Sequence, residues 1–457
     1  MQTSSAVLES LDPAIYLTGD AVGEAYACDW TRANPVLPAV VFRPKTTQQV
    51  SEILAACHAN DQPIVIQGGR TGLAGGATPR AGEHSLSLEL MNQLIEFDRD
   101  GMTITVGAGM PLQVIQDTAA AEGLEFSMDL GARGSCQAGG IVSTNAGGNQ
   151  VIQHGMTRSL ILGLTAVLAD GTIIEADNKL LKNNAGYDLK QLFIGTEGTL
   201  GVVTQVTFRL NPSKPASASA LCACADFPAV IKLLRHCGQT LPVVSAFEVM
   251  WRGYFDVAVE ATGKPNPLSE TAPFSVLIQT EGSNDSSLSD DLERCFEQAL
   301  ERELVTDGVL ASSLADSQRL WELRDAIGDI MPTMEHLAVF DVGIPLAAMD
   351  RVASAIERDL GQELDGCRTL LFGHIGDGNL HVVASTGRAE DKATIEAIVY
   401  RHTASANGSV SAEHGIGTLK KRWLPQSRSP AEIALMKSLK QAMDPKNILN
   451  PGRVVDS

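Results

Sequence analysis

The sequence predicts an α+β protein with more than one domain, and three observations support this prediction. The chain has 457 residues, more than one ordinary hydrophobic core holds. Short β-branched runs alternate with helical patterns in both halves. Between the halves lies a stretch rich in Pro, Ser and Ala at 211–220, which we interpret as a linker.

In the first half, strands are predicted at 39–44 and 63–69, and an amphipathic helix opened by a Thr cap is predicted at 46–61. The runs SLSLEL, MTITVGAG and ILGLTAVLADGTIIEA predict further strands, and the sequence at 169–171 is typical of a hairpin turn.

In the second half, helices are predicted at 226–239 and 286–303, and a strand is predicted at 274–282. The stretch 369–386 predicts two strands around a turn. The tail, 429–453, is predicted as a helix followed by a segment interrupted by Pro, Asn and Gly.

Composition narrows the classes of protein. The net charge of −19 argues against nucleic acid or an anionic membrane as the main partner. The eight cysteines are scattered and form no CxxC pair, so we expect a cytoplasmic protein. We find no signal-peptide pattern and no apolar run near the roughly 20 residues that span a bilayer, so any membrane association should be peripheral.

Three glycine-rich segments, 68–76, 129–148 and 195–201, stand out in the first half. Glycines let the backbone approach a ligand closely, and consecutive N–H groups can bind phosphate oxygens. The first segment is neither a Rossmann GxGxxG motif nor a Walker P-loop. One such loop could serve tight packing alone, whereas three with interspersed Ser, Thr and Asn favour a long ligand such as a dinucleotide.

The second half contains GHIGDGNLH at 373–381. If residues 376–379 form a four-residue turn, His374 lies directly opposite His381 on one sheet face, and the two imidazoles can share a divalent ion. The alternative is that each histidine only forms a hydrogen bond near the turn. Glu413, in SAEHGIG, completes a set of three ligands with an open coordination position. These donors suit Zn²⁺ or Mn²⁺, between which the sequence does not choose.

Longer motifs carry a resemblance to a known family: QGGRTGLAGG, GSCQAGGIVSTNAGG, NNAGYDLKQLFIGTEGTLG and NILNPGR. They resemble FAD-binding flavoproteins of the vanillyl-alcohol oxidase/p-cresol methylhydroxylase type, in the branch of D-lactate, glycolate and D-2-hydroxyglutarate dehydrogenases. The resemblance implies a two-subdomain FAD-binding domain at 1–212 and an α+β substrate and metal domain, built on an antiparallel sheet, at 213–420. A C-terminal helical segment, 421–457, would return to the flavin.

The resemblance also implies which residues bind FAD, with 68–73 at the pyrophosphate. The implied positions are Gly68, Gly69, Arg70, Thr71, Gly72, Leu73, Asp129, Ala132, Ser135, Gly139, Gly140, Ser143, Thr144, Asn145, Gly147, Gly148, Glu197, Gly198, Gly201, Val203 and Asn450. Some relatives attach FAD through a histidine. Here Gln137 follows Ser135-Cys136 and the only histidine nearby is His154, so we expect non-covalent FAD.

GHIGDGNLH and EHGIG match the family's metal and active-site motifs. By resemblance, His374, His381 and Glu413 are metal ligands, and His414 is the catalytic base, which diverges from Glu413 on an extended backbone. Arg324, in LWELRDAIGD, would bind the substrate carboxylate; the alternative is a solvated charge on a helix face. The implied reaction takes the 2-hydroxyl proton to the base and a hydride to flavin N5, with the metal as Lewis acid.

Three positions bear on the substrate. Relatives specific for 2-hydroxyglutarate carry polar groups where this chain has Gly328, Val339 and Val383. An apolar lining does not satisfy a second carboxylate, whose unpaired burial is costly. We therefore expect D-lactate or a larger apolar D-2-hydroxy acid, with D-2-hydroxyglutarate dehydrogenase or a glycolate oxidase flavin subunit as alternatives.

The electron acceptor, the oligomeric state and two alternative functions are also considered from the sequence. We expect electrons to pass to a quinone or an electron-transfer flavoprotein, and a homodimer is a family-level expectation. An oxidase using O₂ is a second enzymatic hypothesis. The non-enzymatic alternative is a flavin-binding subunit that carries electrons without binding substrate, although a pure carrier needs no open metal site.

Overall fold

The computed structural model describes residues 2–269 and 272–456. Its strands are β1 (Tyr16–Thr18), β2 (Val40–Phe42), β3 (Ile64–Gln67), β4 (His84–Ser87), β5 (Leu94–Asp98), β6 (Thr103–Gly107), β7 (Leu124–Glu125), β8 (Ile161–Val167), β9 (Ile173–Ala176), β10 (Val202–Arg209), β11 (Asn211–Pro212), β12 (Ala216–Cys224), β13 (Ala246–Trp251), β14 (Phe274–Gly282), β15 (Asp307–Leu310), β16 (Ala338–Gly343), β17 (Arg368–His374) and β18 (Asn379–Ser385).

The helices are α1 (Gln2–Glu9), α2 (Thr47–Ala59), α3 (Leu112–Ala121), α4 (Ala138–Thr144), α5 (Val151–His154), α6 (Phe227–Thr240), α7 (Arg252–Thr262), α8 (Asp285–Glu301), α9 (Leu314–Asp325), α10 (Ile327–Ile330), α11 (Met349–Glu363), α12 (Lys392–Ser405) and α13 (Pro430–Met443). The predicted Thr cap is confirmed, because the Thr46 hydroxyl accepts the Gln49 N–H at 3.2 Å. Among the described residues, no helix combines the length and apolar character needed to cross a membrane.

The chain forms two compact units. The first unit contains the residues up to Gly148, His154–Ser213, and those from Glu413 onward; the second contains Asn149–Gln153 and the described part of Lys214–Ala412. In the first unit, one sheet has the order β1-β2-β4-β3, in which β2, β4 and β3 are parallel, and another has the order β5-β6-β10-β8-β9. The predicted hairpin at 169–171 is confirmed between β8 and β9.

The second unit is built on one antiparallel sheet with the order β15-β12-β14-β13-β17-β18-β16. An apolar cluster covers one face, where Met250, Phe372 and Val383 pack with Tyr254 of α7 and Leu323 of α9. Side chains alternate between the two faces of a strand. A residue two positions from Met250, Phe372 or Val383 therefore projects to the same face of the sheet as the cluster. The α+β architecture predicted from the sequence is confirmed.

The linker predicted at 211–220 is wrong for most of its length, because residues 211–212 form β11 and residues 216–220 begin the long strand β12. Strand β12 pairs with β14 and β15. The small residues there serve close packing: the Ser219 hydroxyl lies 2.9 Å from the Ser317 hydroxyl of α9, and Ala220 is buried. A Ser/Ala-rich composition therefore marks a tightly packed strand here and not an exposed connection.

Candidate active site

The three glycine loops and the tail meet where β3 ends. A Cβ at Gly69 would lie 2.0 Å from the Ser135 carbonyl oxygen, so the first loop runs directly against the second. Asn450 joins the tail to β3 and to the third loop. Its Oδ1 accepts the Ile66 N–H at 2.8 Å, and its Nδ2 donates to the Glu197 carbonyl at 2.6 Å. The structure thus brings the predicted cofactor segments together within the first unit.

The backbone of residues 68–76 offers hydrogen-bond donors. None of its N–H groups donates a hydrogen bond to another of the described residues. Arg70 adopts a left-handed conformation (φ 56°), which turns successive N–H groups toward a common point and favours anion binding. A Cβ at Gly72 or Gly140 would meet no atom within 4 Å, so both face open space. These features fit the pyrophosphate of FAD.

Two predicted cofactor residues direct their side chains into the protein. The Glu197 carboxylate accepts the N–H groups of Ile416 at 2.6 Å and Gly417 at 2.7 Å. Burial raises the pKa of this carboxyl, and the two N–H groups oppose that rise. The Val203 side chain lies in an apolar core cluster. The other predicted positions lie in the same loops or in α4: Gly68, Thr71, Leu73, Asp129, Ala132, Gly139, Ser143, Thr144, Asn145, Gly147, Gly148, Gly198 and Gly201.

His374 and His381 lie on one face of the second unit's sheet, but the predicted direct opposition is wrong. The β17–β18 register places Phe372 across from His381, and the turn at 375–378 begins one residue earlier than predicted. The register differs by two residues, which keeps both histidines on the same face because side chains alternate with a period of two. Their ring centroids are 4.9 Å apart.

His381 is held by a buried carboxylate. Its Nδ1 lies 2.5 Å from Oδ1 of Asp341, the residue opposite it on β16. Its Nε2 is buried and has no hydrogen-bond partner among the described residues. A carboxylate at Nδ1 places the proton on that nitrogen and leaves the Nε2 lone pair exposed to a ligand. An unsatisfied buried acceptor costs about 1–3 kcal/mol, so this nitrogen fits a metal ligand.

His374 belongs to a buried network with Glu248 of β13 and Arg324 of α9. Its Nδ1 lies 2.6 Å from Glu248 Oε1, and its Nε2 lies 3.0 Å from Arg324 Nη2. Arg324 Nε donates to Glu248 Oε2 at 2.8 Å. Burial alone would raise the pKa of Glu248, but His374 and Arg324 hold it at about 2. Arg324 is 8% exposed, so it is not a solvated surface charge.

Glu413 lies next to Ala412, the last residue of the second unit. The Ala412 N–H donates to the Asp341 carbonyl at 2.8 Å, which fixes the chain at this point. His374 and His381 belong to the second unit, and Glu413 begins the last segment of the first unit. Two imidazoles and a carboxylate are a donor set that suits a divalent ion such as Zn²⁺ or Mn²⁺.

His414 adopts a left-handed backbone conformation (φ 63°), and the predicted extended segment is wrong at this residue. The Gly415 N–H donates to the Glu413 carbonyl at 2.8 Å, which closes a three-residue turn around His414. The turn, and not strand alternation, therefore sets the directions of the two side chains. His414 Nε2 lies 3.9 Å from Glu413 Oε2.

The face beside the histidines is apolar at two of the positions relevant to specificity. Val339 of β16 pairs with Val383 of β18, and the Asp341–His381 pair lies two residues further along the same two strands. All four side chains therefore project to one face of the sheet. Val383 is 1% exposed and belongs to the apolar cluster, whereas Val339 is 40% exposed. Neither side chain can pair with a substrate carboxylate.

The sequence analysis missed Glu248 and Asp341. Each is a single acidic residue inside an apolar strand, in AFEVMW and AVFDVG. The available signal was that a carboxylate is almost never buried in such a strand unless it is paired. Its partners, however, come from distant parts of the chain.

Two family models match the chain. Residues 38–177 match the FAD binding domain, and residues 213–454 match the C-terminal domain of FAD linked oxidases. The first match contains the glycine loops at 68–76 and 129–148. The second contains the three candidate histidines, Arg324 and the tail with Asn450.

Proteins of similar sequence carry dehydrogenase names. The chain is 39% identical over 454 residues to a mitochondrial D-2-hydroxyglutarate dehydrogenase of Bos taurus, covering 98% of this chain and 83% of that protein. It is 36% identical to a Schizosaccharomyces pombe protein provisionally named a mitochondrial D-lactate dehydrogenase, covering 98% and 87%. A solved structure of p-cresol methylhydroxylase with substrate bound has the same fold, with a TM-score of 0.78, 15% identity, and coverage of 100% and 96%.

Proposed function

The chain belongs to the family of FAD-linked oxidases, and we propose that it oxidises a D-2-hydroxy acid with an apolar side chain, D-lactate or a larger homologue, to the 2-oxo acid. It is an FAD-dependent D-2-hydroxyacid dehydrogenase, as its sequence relatives are. The proposal adds the substrate and a divalent metal ion, Zn²⁺ or Mn²⁺, held by His374, His381 and Glu413.

One observation carries the metal part of the proposal. Buried carboxylates occupy Nδ1 of both His374 and His381, so the Nε2 lone pair of each ring points away from its carboxylate. That of His381 has no hydrogen-bond partner among the described residues, and that of His374 faces Arg324 Nη2. Histidines that only stabilise a turn do not need matched carboxylates at the same ring nitrogen. The arrangement is the one that orients histidine ligands in metalloenzymes.

The residues divide the chemistry between them. Bound FAD supplies the two-electron acceptor, and the divalent ion supplies Lewis acidity toward the substrate oxygens. Arg324 donates hydrogen bonds from its outer nitrogens to the substrate carboxylate while Nε remains on Glu248. His414 accepts the proton of the 2-hydroxyl as C2 is oxidised. The apolar cluster beside His381 excludes water from the site.

The apolar pair Val339 and Val383 supports a substrate without a second carboxylate. A charged group placed against this pair would lose its hydration and gain no partner. Gly328 has no side chain and therefore offers no partner for a carboxylate either. A methyl or a longer alkyl group suits such a surface.

D-2-hydroxyglutarate is the second candidate substrate, and the names of the relatives favour it. Val339 is 40% exposed, so a longer substrate could extend past it toward solvent. A side-chain carboxylate that stays hydrated would cost little. The two candidates therefore differ in whether the far end of the substrate is buried.

Stopped-flow measurement of flavin reduction tests the proposal. We expect D-lactate and D-2-hydroxybutyrate to bleach the flavin at least about tenfold faster than D-2-hydroxyglutarate, since one unpaired polar group costs about 1–3 kcal/mol. Chelation should abolish reduction, and added Zn²⁺ or Mn²⁺ should restore it. Faster reduction by D-2-hydroxyglutarate would support the second candidate, and no reduction by any D-2-hydroxy acid would refute the proposal.

We also propose a quinone or an electron-transfer flavoprotein as the electron acceptor. Hydrogen peroxide formation during turnover without an added acceptor would instead indicate an oxidase. The cytoplasmic location also stays a proposal, and several relatives are named mitochondrial proteins.

A further inference from the structure

Glu248 contacts two candidate site residues that lie far apart in the sequence. It is 1% exposed, in a strand otherwise made of apolar residues. One carboxylate oxygen bonds His374 Nδ1 at 2.6 Å, and the other accepts Arg324 Nε at 2.8 Å. No role was assigned to it by the motifs or by the resemblance.

We propose that Glu248 is a positioning residue that aligns the metal-ligand candidate His374 with the carboxylate-binding candidate Arg324. The inference rests on the proposed function, because it takes a metal ion and a substrate carboxylate as the partners of these two side chains. Glu248 itself touches neither substrate nor metal in this scheme.

The bond to His374 sets the state of the imidazole. An ionised carboxylate at Nδ1 keeps the proton there, so the Nε2 lone pair is directed away from Glu248. The strand register adds a geometric reason, since Glu248 lies directly across from His374 on the neighbouring strand. Without this carboxylate the ring could rotate or change tautomer and lose the orientation that a ligand needs.

The bond to Arg324 anchors the guanidinium at one end. The backbone carbonyl of Arg324 accepts a hydrogen bond from the Tyr254 hydroxyl at 2.6 Å. The Arg324 Cζ lies 5.3 Å from the centre of the Phe372 ring. Arg324 is therefore held at its backbone, at Nε and on one face of its guanidinium group. Arg324 Nη2 is then directed at His374 Nε2, 3.0 Å away.

The same nitrogen lone pair cannot accept both an arginine N–H and a metal ion. A metal ion at His374 Nε2 would therefore displace the Nη2 group of Arg324 and free it for a carboxylate, while Glu248 would still hold Nε. Glu248 is the partner common to both states, so it links the affinity for metal with the affinity for carboxylate.

Asp341 provides a matched control. It bonds Nδ1 of His381 at 2.5 Å, as Glu248 bonds Nδ1 of His374. Arg324, however, pairs with Glu248 and Asp325 among the described residues, and not with Asp341. Removing the Asp341 charge should therefore affect metal binding alone.

Two affinities of the FAD holoenzyme test the inference, each in wild type, Glu248→Gln and Asp341→Asn. Zn²⁺ affinity is measured by competition with a chromophoric chelator. Carboxylate affinity is measured at saturating Zn²⁺ from the change in flavin absorbance with propionate, which has the carboxylate of lactate but no hydroxyl to oxidise. Thermal unfolding and FAD content establish that the variants are folded.

We expect both variants to bind Zn²⁺ about 10–100-fold more weakly than wild type. Glu248→Gln should also bind propionate at least about tenfold more weakly, whereas Asp341→Asn should stay within about twofold of wild type. If Glu248→Gln does not fold, Glu248→Asp, which keeps the charge but shortens its reach, should show the same double loss.

Equal propionate binding by Glu248→Gln and Asp341→Asn would overturn the inference, as would unchanged Zn²⁺ affinity in Glu248→Gln. Failure of the proposed function would appear differently. In that case the wild type itself would bind no Zn²⁺ or would not be reduced by D-2-hydroxy acids.

Discussion

The glycine loops of the first unit offer backbone N–H groups, whereas the sheet face of the second unit offers side chains backed by buried carboxylates. In the loops, residues 68–76 donate no hydrogen bond to the described residues, and Gly72 and Gly140 face open space. On the sheet face, His374, His381 and Arg324 each have an acidic partner within 3 Å.

The two sites therefore differ in which amino-acid substitutions they tolerate. A backbone site depends on the absence of side chains, so its weak point is an added methyl group. A side-chain site depends on partners that orient each functional group, so its weak points include residues that never touch a ligand. Four substitutions separate these properties, in order of decreasing expected effect.

The largest effect is expected for His381→Ala. Removing one of three metal ligands should lower the rate of flavin reduction by about 10³-fold or more and abolish Zn²⁺ binding, because the open coordination position loses its support. FAD content, measured by flavin absorbance, should stay at the wild-type level. His402→Ala removes a histidine that pairs with Asp359 on the helical side of the same unit and should change neither property. Loss of FAD together with metal would show that the two sites are not separable.

The second effect concerns acid stability of the metal-free protein. The Glu248 pKa is lowered from 4.5 to about 2, so its ionisation stabilises the folded state above pH 4.5, and that stability is lost as the pH falls toward 2. At about 1.4 kcal/mol per pKa unit, the gap between wild type and Glu248→Gln should be about 3 kcal/mol at pH 7. Urea unfolding at pH 7, 5, 4 and 3 should show the gap closing, and a gap independent of pH would contradict the ion-pair network.

The third effect tests the backbone site with Gly140→Ala. The added methyl meets no protein atom within 4 Å, so the free energy of unfolding should stay level or rise by about 0.4–1 kcal/mol. FAD affinity, from fluorescence titration of the apoprotein, should fall about tenfold because the methyl enters space assigned to the cofactor. Gly238→Ala, in α6 and equally unobstructed, should leave FAD affinity unchanged. Wild-type affinity in Gly140→Ala would place FAD elsewhere.

The smallest effect is expected for Val339→Lys. An ammonium group on the half-exposed position beside Val383 should raise the ratio of kcat/KM for D-2-hydroxyglutarate over D-lactate about tenfold, the ~1.5 kcal/mol of a hydrogen bond between charged groups. Val339→Met keeps the surface apolar and should leave the ratio near its wild-type value. A ratio unaffected by the lysine would mean that the substrate does not reach this strand.

Much of the fold and part of the site were predictable from local sequence. Helix α2 follows from its Thr46 cap and its periodic apolar residues, and the β8–β9 hairpin follows from its turn residues. Alternation alone predicts that His374 and His381 share one face of the sheet, so this prediction is correct although the predicted strand register is not. The linker prediction failed because small residues are used both in exposed connections and in tightly packed strands such as β12.

The sequence by itself determined the glycine loops, the candidate ligands and the apolar positions at 339 and 383, because each depends on contiguous residues or on a fixed period of alternation. Only the tertiary structure decided which groups support them. Glu248 meets His374 and Arg324 across 126 and 76 residues of chain, and Glu197 meets Ile416 across 219. Such partners have no local signature, since a buried carboxylate is recognised only when the strand pairing that brings its counter-charge is known.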